Sequence, residues 1–216
     1  MDKKKQFSRR TELGEIKRVV IKVGTFLLTG RKYPLNRRRI KKIVDQIAGI
    51  RKSGIEAALV TSGAIAAGVQ ELGWEKRPCD IPGLQAAATV GQSALMHIYH
   101  DYFRESEIGV GQVLLTREDL HHRTRHLNIS NTLRSLLKNG VIPIINENDT
   151  VAVDEIKFGD NDFLAALVAN LIQADLLIIL TDVEGLLSPP PVSGQSRRLV
   201  PRVEEITPEI LALIED

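Results

Sequence analysis

The sequence predicts an α/β fold, a three-layer αβα sandwich in which a mainly parallel β-sheet lies between two layers of helices. Three observations support this prediction. Short, β-branched runs alternate with stretches of helical periodicity, several of these runs lead directly into glycine or hydroxyl residues, and no repeat of solenoid length occurs. Because crossovers between parallel strands are right-handed, helices placed between such strands cover the two faces of one sheet.

The first strand and the first long helix illustrate the pattern. Residues 18–24 (RVVIKVG) are mostly β-branched and end in glycine, which is typical of a strand buried on both faces. We expect a loop that carries Thr25. Asn36 is a good N-cap for a helix whose isoleucine and valine residues recur every three or four positions until Gly54 ends it.

The same alternation continues along the chain. Strands are predicted over residues 57–61, 110–116, 141–145 and 176–180, and helices over residues 64–72, 84–105, 124–138, 160–173 and 208–216. The polar segment from Asn146 to Gly159 has the pattern of a hairpin over the strand ends. Ser188–Arg198 is rich in proline, serine and arginine, which predicts a mobile loop.

Composition excludes several classes of protein. Of 216 residues, 43% are hydrophobic and 26% are charged, so a disordered or collagen-like chain is excluded. The net charge of +2 gives no argument for a nucleic-acid or membrane partner, and no apolar run approaches the roughly 18 residues of a membrane span. Cys79 is the single cysteine, which excludes a disulfide-stapled scaffold. We therefore expect a cytoplasmic protein, with residues 1–17 as a flexible arm.

Candidate functional residues follow the predicted strands, where open parallel sheets bind their ligands. Ser62-Gly63 precedes a helix whose free N–H groups favour an anion, although the pair also fits an ordinary cap and turn. Lys22 lies within a strand, where it either contacts a phosphoryl group or extends its ammonium to solvent. Asn146–Thr150 is either a clamp for a substrate amine or hydroxyl group or a plain loop.

The Asp160-Asn161-Asp162 triplet has two readings. It fits a helix cap, and Asp162 also fits a residue that holds a lysine in place or helps position Mg²⁺. Other motifs are excluded: no Walker A pattern occurs, and Gly109-Val-Gly111 lacks the third glycine of a dinucleotide fingerprint. The basic run of residues 37–42 has no interleaved aromatic residues, so it predicts a solvated helix face.

Taken in order, these motifs closely resemble the glutamate 5-kinase branch of the amino-acid kinase family. The resemblance covers nearly the whole chain from Arg18 to Leu187. The Asn-Glu-Asn-Asp-Thr and Lys-x-Gly-Asp-Asn-Asp segments are specific to this branch. The matching segments are residues 20–25, 60–68, 88–92, 112–116, 142–150, 157–162 and 180–185.

This resemblance implies a reaction and a set of roles. The reaction is transfer of the ATP γ-phosphoryl group to the side-chain carboxylate of L-glutamate, the first step of proline synthesis, with Mg²⁺ as a cofactor. Lys22 would contact the transferring phosphoryl group, and Asp162 would hold this lysine and the metal environment in register. The glutamate-binding positions would be Ser62, Gly63, Asn146, Asp149 and Asn161, and part of the ATP site would be Thr181 and Asp182.

The resemblance also implies feedback inhibition by L-proline and assembly into dimers or tetramers. The sequence pattern of the family continues with a glycine-rich segment that carries a second lysine, and often with a PUA-type domain. This chain contains neither. We therefore expect residues 18–216 to form a C-terminally truncated kinase domain with weak or no turnover. The alternatives are a non-catalytic module that binds glutamate or associates with other subunits, and a related kinase with another acceptor.

Overall fold

The computed structural model describes residues 14–29, 35–151, 161–188 and 197–212. Four predicted features lie wholly or partly outside the described residues. They are the N-terminal arm, the hairpin over the strand ends, the proline-rich loop and the end of the last helix. The chain divides into two compact units, residues 1–180 and residues 181–216.

The first unit is built on a five-stranded sheet. Its strand order is β3-β4-β2-β1-β5, and every neighbouring pair is parallel. The strands are β1 Arg18–Val23, β2 Glu56–Val60, β3 Val110–Leu115, β4 Ile142–Glu147 and β5 Leu176–Leu180. The helices are α1 Thr25–Thr29, α2 Arg37–Lys52, α3 Ala64–Glu71, α4 Ile81–Arg104, α5 Arg117–His121, α6 Arg123–Lys138 and α7 Asn161–Ile172.

Two apolar clusters, one on each face of the sheet, make this unit a three-layer sandwich. Successive side chains of a strand point to opposite faces. In β1, Val19 and Ile21 pack in a cluster with α2 and α4, whereas Val20 packs in a second cluster with α6 and α7. Strands β2 and β4 divide in the same way between the two clusters. The predicted αβα sandwich with a parallel sheet is therefore confirmed.

Several element boundaries differ from the predictions. Thr25 begins the short helix α1 where the sequence predicts a loop, and helix α5 is absent from the predicted elements. Helix α4 begins at Ile81 because the Asp80 side chain accepts a hydrogen bond from the Gly83 N–H and so caps it. Strand β4 extends to Glu147, so Asn146 lies in the sheet and not in a hairpin, which corrects that prediction.

Helices α3 and α4 pack with their backbones in very close approach. A Cβ atom on Gly68 would lie 1.7 Å from the Ala87 carbonyl oxygen, and one on Gly91 would lie 1.8 Å from the Ala64 carbonyl oxygen. No side chain fits at such distances. These two glycines therefore fix the rotation of α4 against α3, and with it the direction in which the neighbouring polar residues of α4 project.

The second unit contains short elements among its described residues. Strand β6 (Leu187–Ser188) pairs antiparallel with β7 (Arg198–Leu199), and helix α8 spans Pro208–Ala212. The Thr207 hydroxyl accepts a hydrogen bond from the Ile210 N–H and so caps the N-terminus of α8. None of the helices in the described ranges combines the length and the apolar character that crossing a membrane requires.

Candidate active site

The candidate site lies at the carboxyl ends of the central strands of the first unit, and Lys22 contributes a positive charge to it. Lys22 shares its face of β1 with Val20, which packs in the cluster that contains residues of α7. The lysine is 8% exposed, and its Nζ forms an ion pair with Oδ1 of Asp162, in the first turn of α7. Nearly half of the Asp162 side chain is exposed. Its carboxylate therefore orients the lysine while remaining accessible to a ligand or a cation.

Ser62 and Gly63 form the turn between β2 and α3. Gly63 has φ +94°, a left-handed conformation that L side chains rarely adopt, and it occupies the N-cap position of α3. Among the residues that the structure describes, no side chain caps this helix. The N–H groups of its first turn, together with the helix dipole, therefore favour an anion beside Ser62.

A chain of amide side chains links this turn to the sheet and to α4. The two hydrogens of the Asn161 Nδ2 group are shared among three acceptors, namely the Thr61 carbonyl oxygen at 2.6 Å, Ser62 Oγ at 2.9 Å and Asn146 Oδ1 at 2.9 Å. The Asn146 Nδ2 group in turn donates to Gln92 Oε1 at 2.8 Å. Asn161, Asn146 and Gln92 are all buried, so this network is a fixed part of the site.

A buried tyrosine of α4 contacts the residue that precedes this turn. The Tyr99 hydroxyl on α4 lies 2.8 Å from Thr61 Oγ1, and Thr61 Oγ1 donates to the Ser62 carbonyl oxygen. Because the Thr61 hydrogen is used in that bond, the Tyr99 hydroxyl is the donor of the pair. Burial raises the pKa of Tyr99 well above its usual range, so it remains a neutral donor. The tyrosine holds the Thr61–Ser62 backbone in place.

Asp149 lies in the turn that follows β4, at a half-buried position. The turn is held by two backbone bonds, from the Asn148 N–H to the Leu115 carbonyl and from the Val151 N–H to the Asn148 carbonyl. The Thr150 hydroxyl lies 3.2 Å from the Thr89 hydroxyl on α4. These contacts place Asp149 beside the end of β4 that carries Asn146.

The structure thus brings five of the sequence-predicted residues into contact. Lys22 contacts Asp162, and Asn161 contacts Ser62 and Asn146. Gly63 forms the turn itself, and Asp149 follows the neighbouring strand. Thr181 and Asp182 belong to the second unit, where the Thr181 hydroxyl lies 3.5 Å from Asp182 Oδ1. Their assignment to an ATP site stays a prediction.

The carboxylates of the site are the groups relevant to a metal. Within the described ranges, no group of three or more His, Cys, Asp or Glu side chains is arranged to hold a metal ion. Mg²⁺ needs no such group, because it keeps several waters and takes one or two carboxylates together with substrate phosphates. The exposed part of the Asp162 carboxylate fits that donor set.

Two residues of α4 that support the site are not among the predicted site residues: Gln92, in the amide network, and Tyr99, which contacts Thr61. Gln92 enters the sequence interpretation only as part of a matching segment. A signal is present, since the small residues Ala87, Ala88 and Gly91 shortly precede Gln92 and indicate a closely packed part of the helix. Periodicity alone does not show that this polar side chain is buried.

Comparison with known proteins agrees with this architecture. The model of the amino acid kinase family matches residues 17–212. The chain is 52% identical over 198 residues to a glutamate 5-kinase of Geobacter sulfurreducens, covering 92% of this chain and 53% of that protein. It is 50% identical over 204 residues to glutamate 5-kinases of Moorella thermoacetica and Paraburkholderia phymatum, covering 94% of this chain and 54% and 55% of those proteins.

The chain therefore spans about half the length of the relatives that it matches. The family match covers most of the chain, and the parallel sheet with its polar carboxyl edge is consistent with that match. On these grounds the chain belongs to the amino acid kinase family.

Proposed function

We propose that this chain carries the acceptor site and the catalytic lysine of an ATP-dependent kinase that phosphorylates the γ-carboxylate of L-glutamate to give L-glutamyl 5-phosphate. The observation that carries the proposal is the juxtaposition of the Lys22–Asp162 ion pair with the buried amide network around Ser62. The relatives named glutamate 5-kinase, about 50% identical to this chain, support the choice of acceptor.

The reaction requires positioning and positive charge more than proton transfer. A γ-carboxylate oxygen of glutamate attacks the γ-phosphorus of ATP, a new O–P bond forms, and the bond to the bridging oxygen breaks to release ADP. A glutamate side chain, with an ordinary pKa of about 4.3, is already ionised at neutral pH, so no general base is needed. Asp162 therefore serves to orient Lys22 and not to remove a proton.

Lys22 supplies the positive charge. Its ammonium would contact the transferring phosphoryl group, whose equatorial oxygens carry the charge of the transition state. The ion pair with Asp162 restricts the long lysine side chain before the substrates bind. Asp162 would also be the protein ligand of Mg²⁺, which neutralises phosphate charge when it is bound.

The remaining residues would bind the amino acid. The N-terminus of α3, with the Ser62 hydroxyl beside it, suits a carboxylate. The Asp149 carboxylate suits the α-ammonium group, because the opposite charges attract. Asn146 and Asn161 would fix the orientation of the acceptor, and Thr181 and Asp182 would contact ATP. A cytoplasmic location, inhibition by L-proline and assembly into oligomers belong to the same proposal.

Glutamate-dependent release of ADP tests this proposal. The 216-residue chain is incubated with ATP, Mg²⁺ and L-glutamate, and the acyl phosphate is trapped with hydroxylamine; L-aspartate and N-acetyl-L-glutamate serve as competing acceptors. Because the chain spans about half the length of its relatives, turnover should be weak; the expected result is slow formation of ADP and hydroxamate with L-glutamate alone, both lost in Lys22→Met. ADP formed with another acceptor would contradict the substrate assignment, and glutamate binding without ADP would contradict the kinase activity of this chain.

A further inference from the structure

A backbone carbonyl at one end of the amide network determines which side-chain atoms donate and which accept. The Thr61 carbonyl oxygen can only accept a hydrogen bond, so the group that lies 2.6 Å from it must be the NH₂ of Asn161. The same NH₂ group lies 2.9 Å from Asn146, so the atom of Asn146 facing it must be the oxygen. The orientation of both asparagine amides follows from this contact.

The orientation of the Gln92 amide is fixed in the same way. With its oxygen facing Asn161, Asn146 presents its NH₂ group to Gln92, which must therefore present its own oxygen in return. The network thus ends in the Nε2 group of Gln92. Flipping the Gln92 amide would place two NH₂ groups 2.8 Å apart. Exchanging its nitrogen and oxygen therefore cannot account for the unpaired Nε2 group.

The Gln92 Nε2 group is a buried donor at the end of the network. Gln92 is only 7% exposed, and among the described residues Nε2 has no hydrogen-bond partner. Leaving a buried N–H group unpaired costs about 1–3 kcal/mol. Native structures rarely retain such a group, and an explanation is expected in each case.

The groups that share the site with this network favour a ligand oxygen as the missing acceptor. Through Asn146 and Asn161, Gln92 is connected to Ser62 at the uncapped N-terminus of α3, which favours an anion. Lys22 adds a positive charge, although Asp162 already pairs with it. The close packing of Gly91 against Ala64 prevents α4 from rotating Gln92 away from the site.

We propose that the Nε2 group of Gln92 donates a hydrogen bond to a carboxylate oxygen of the bound amino acid, and that it thereby selects an acid over the corresponding amide. The inference rests on the proposed function, because it assumes that L-glutamate occupies this site. It adds a specificity-determining residue from α4 to those contributed by the strand ends and α7.

The substitution Gln92→Glu tests the donor specifically. It retains an oxygen that accepts from Asn146 and replaces only the NH₂ group. The dissociation constants of L-glutamate, L-glutamine (the γ-amide) and L-isoglutamine (the α-amide) are measured by calorimetry for the unchanged chain and for the variant. We expect L-glutamate to bind on the order of 10- to 100-fold more weakly to the variant. One of the two amides should lose much less affinity, because its NH₂ group can donate to Glu at this position.

Two further variants separate this role from a purely structural one. Gln92→Met removes both the donor and the acceptor, so it should weaken all three ligands without favouring an amide. Ser93→Glu adds the same charge at the adjacent, exposed position and should bind L-glutamate within about threefold of the unchanged chain. The identity of the favoured amide shows which carboxylate Gln92 contacts.

These measurements distinguish a failure of the Gln92 proposal from a failure of the glutamate site. Suppose that the unchanged chain binds L-glutamate. If Gln92→Glu then binds L-glutamate equally well, or loses affinity for L-glutamate and for both amides to the same extent, the role of Gln92 is overturned while the glutamate site stands. If the unchanged chain does not bind L-glutamate, both proposals fail together.

A measurement on the unchanged chain covers the case in which Gln92→Glu does not fold. The side-chain NH₂ signals of ¹⁵N-labelled glutamine are recorded by NMR, and that of Gln92 is assigned through its proximity to the Asn146 amide. Adding L-glutamate should shift the Gln92 signal and slow exchange of its protons. A signal that stays unchanged at saturating L-glutamate would overturn the proposal.

Discussion

The ammonium of Lys22 on β1 forms an ion pair with the carboxylate of Asp162 in the first turn of α7. The pair joins an inner strand of the sheet to one covering layer of helices at the carboxyl edge, where the amide network also lies. Because Lys22 is almost fully buried, the carboxylate compensates a charge that would otherwise be costly to place there.

Substitution of either member of this pair should reduce turnover. We expect Lys22→Met and Asp162→Asn each to lower the rate of glutamate-dependent ADP release by about 10²- to 10³-fold, because the charge on the transferring phosphoryl group is lost or misplaced. The affinity for L-glutamate, measured by calorimetry, should change much less. Lys17→Met is the control, since Lys17 lies exposed in an ion pair with Glu15. An equal loss of rate in this control would contradict the assignment.

The packing of α3 on α4 predicts opposite effects for two Gly→Ala substitutions. Gly91→Ala should destabilise the fold by about 3 kcal/mol or more, because its Cβ would lie 1.8 Å from a backbone oxygen. Gly49→Ala, in a helix position where no described residue comes within 4 Å of the added atom, should stabilise it by about 0.5–1 kcal/mol. Urea unfolding measures both. Equal changes at the two positions would contradict the close approach of the two helices.

Removal of the Tyr99 hydroxyl should weaken the turn that carries Ser62. Tyr99→Phe leaves the buried Thr61 hydroxyl without its donor, and we expect a loss of about 1–2 kcal/mol in the free energy of unfolding. Tyr102→Phe is the matched control on the same helix, at a half-buried position, and should change stability by no more than about 0.5 kcal/mol. If the two variants were equally stable, the Tyr99–Thr61 hydrogen bond would not contribute to the stability of the fold.

Acid should weaken the contact between the starts of β1 and β5. The Asp175 carboxylate accepts hydrogen bonds at 2.8 Å from the Lys17 and Arg18 N–H groups, and these bonds hold the pKa of Asp175 below its ordinary value of 3.8. The stabilisation is therefore present above pH 3.8 and is lost as the pH falls through the lower pKa of the folded state.

The substitution Asp175→Asn checks this pH dependence. The variant should be less stable than the unchanged chain at neutral pH, and the difference between their urea midpoints should shrink as the pH falls below about 4. A difference that remained constant from neutral pH to about pH 3 would show that the Asp175 charge is not involved.

The strands and the types of residue at their ends could be predicted from the sequence. Runs such as residues 18–24 are apolar on both faces, and in a parallel sheet this implies cover from two helical layers. The α5 helix escapes prediction although Thr116 and Asp119 form a capping box, because Leu120 is its only buried residue and a single apolar residue gives no periodicity. The predicted start of α4 is too late because apolar periodicity does not reveal the cap at Asp80.

The partners of the site residues could not be predicted in the same way. The contact between Asn146 and Gln92 joins residues far apart in the chain, and it depends on the rotation of α4 against α3. That rotation is set by Gly68 and Gly91, which leave no space for side chains. Such a close approach is a property of two packed helices, so neither the spacing nor the polarity of α4 reveals it alone.

The most direct test of the central claim is the thermal unfolding of this chain with and without millimolar L-glutamate, because a ligand that binds only the folded state raises the unfolding midpoint. L-Aspartate and N-acetyl-L-glutamate are the controls. We predict a cooperative transition whose midpoint rises with L-glutamate and with neither control. A cooperative transition that L-glutamate does not shift would contradict the glutamate site.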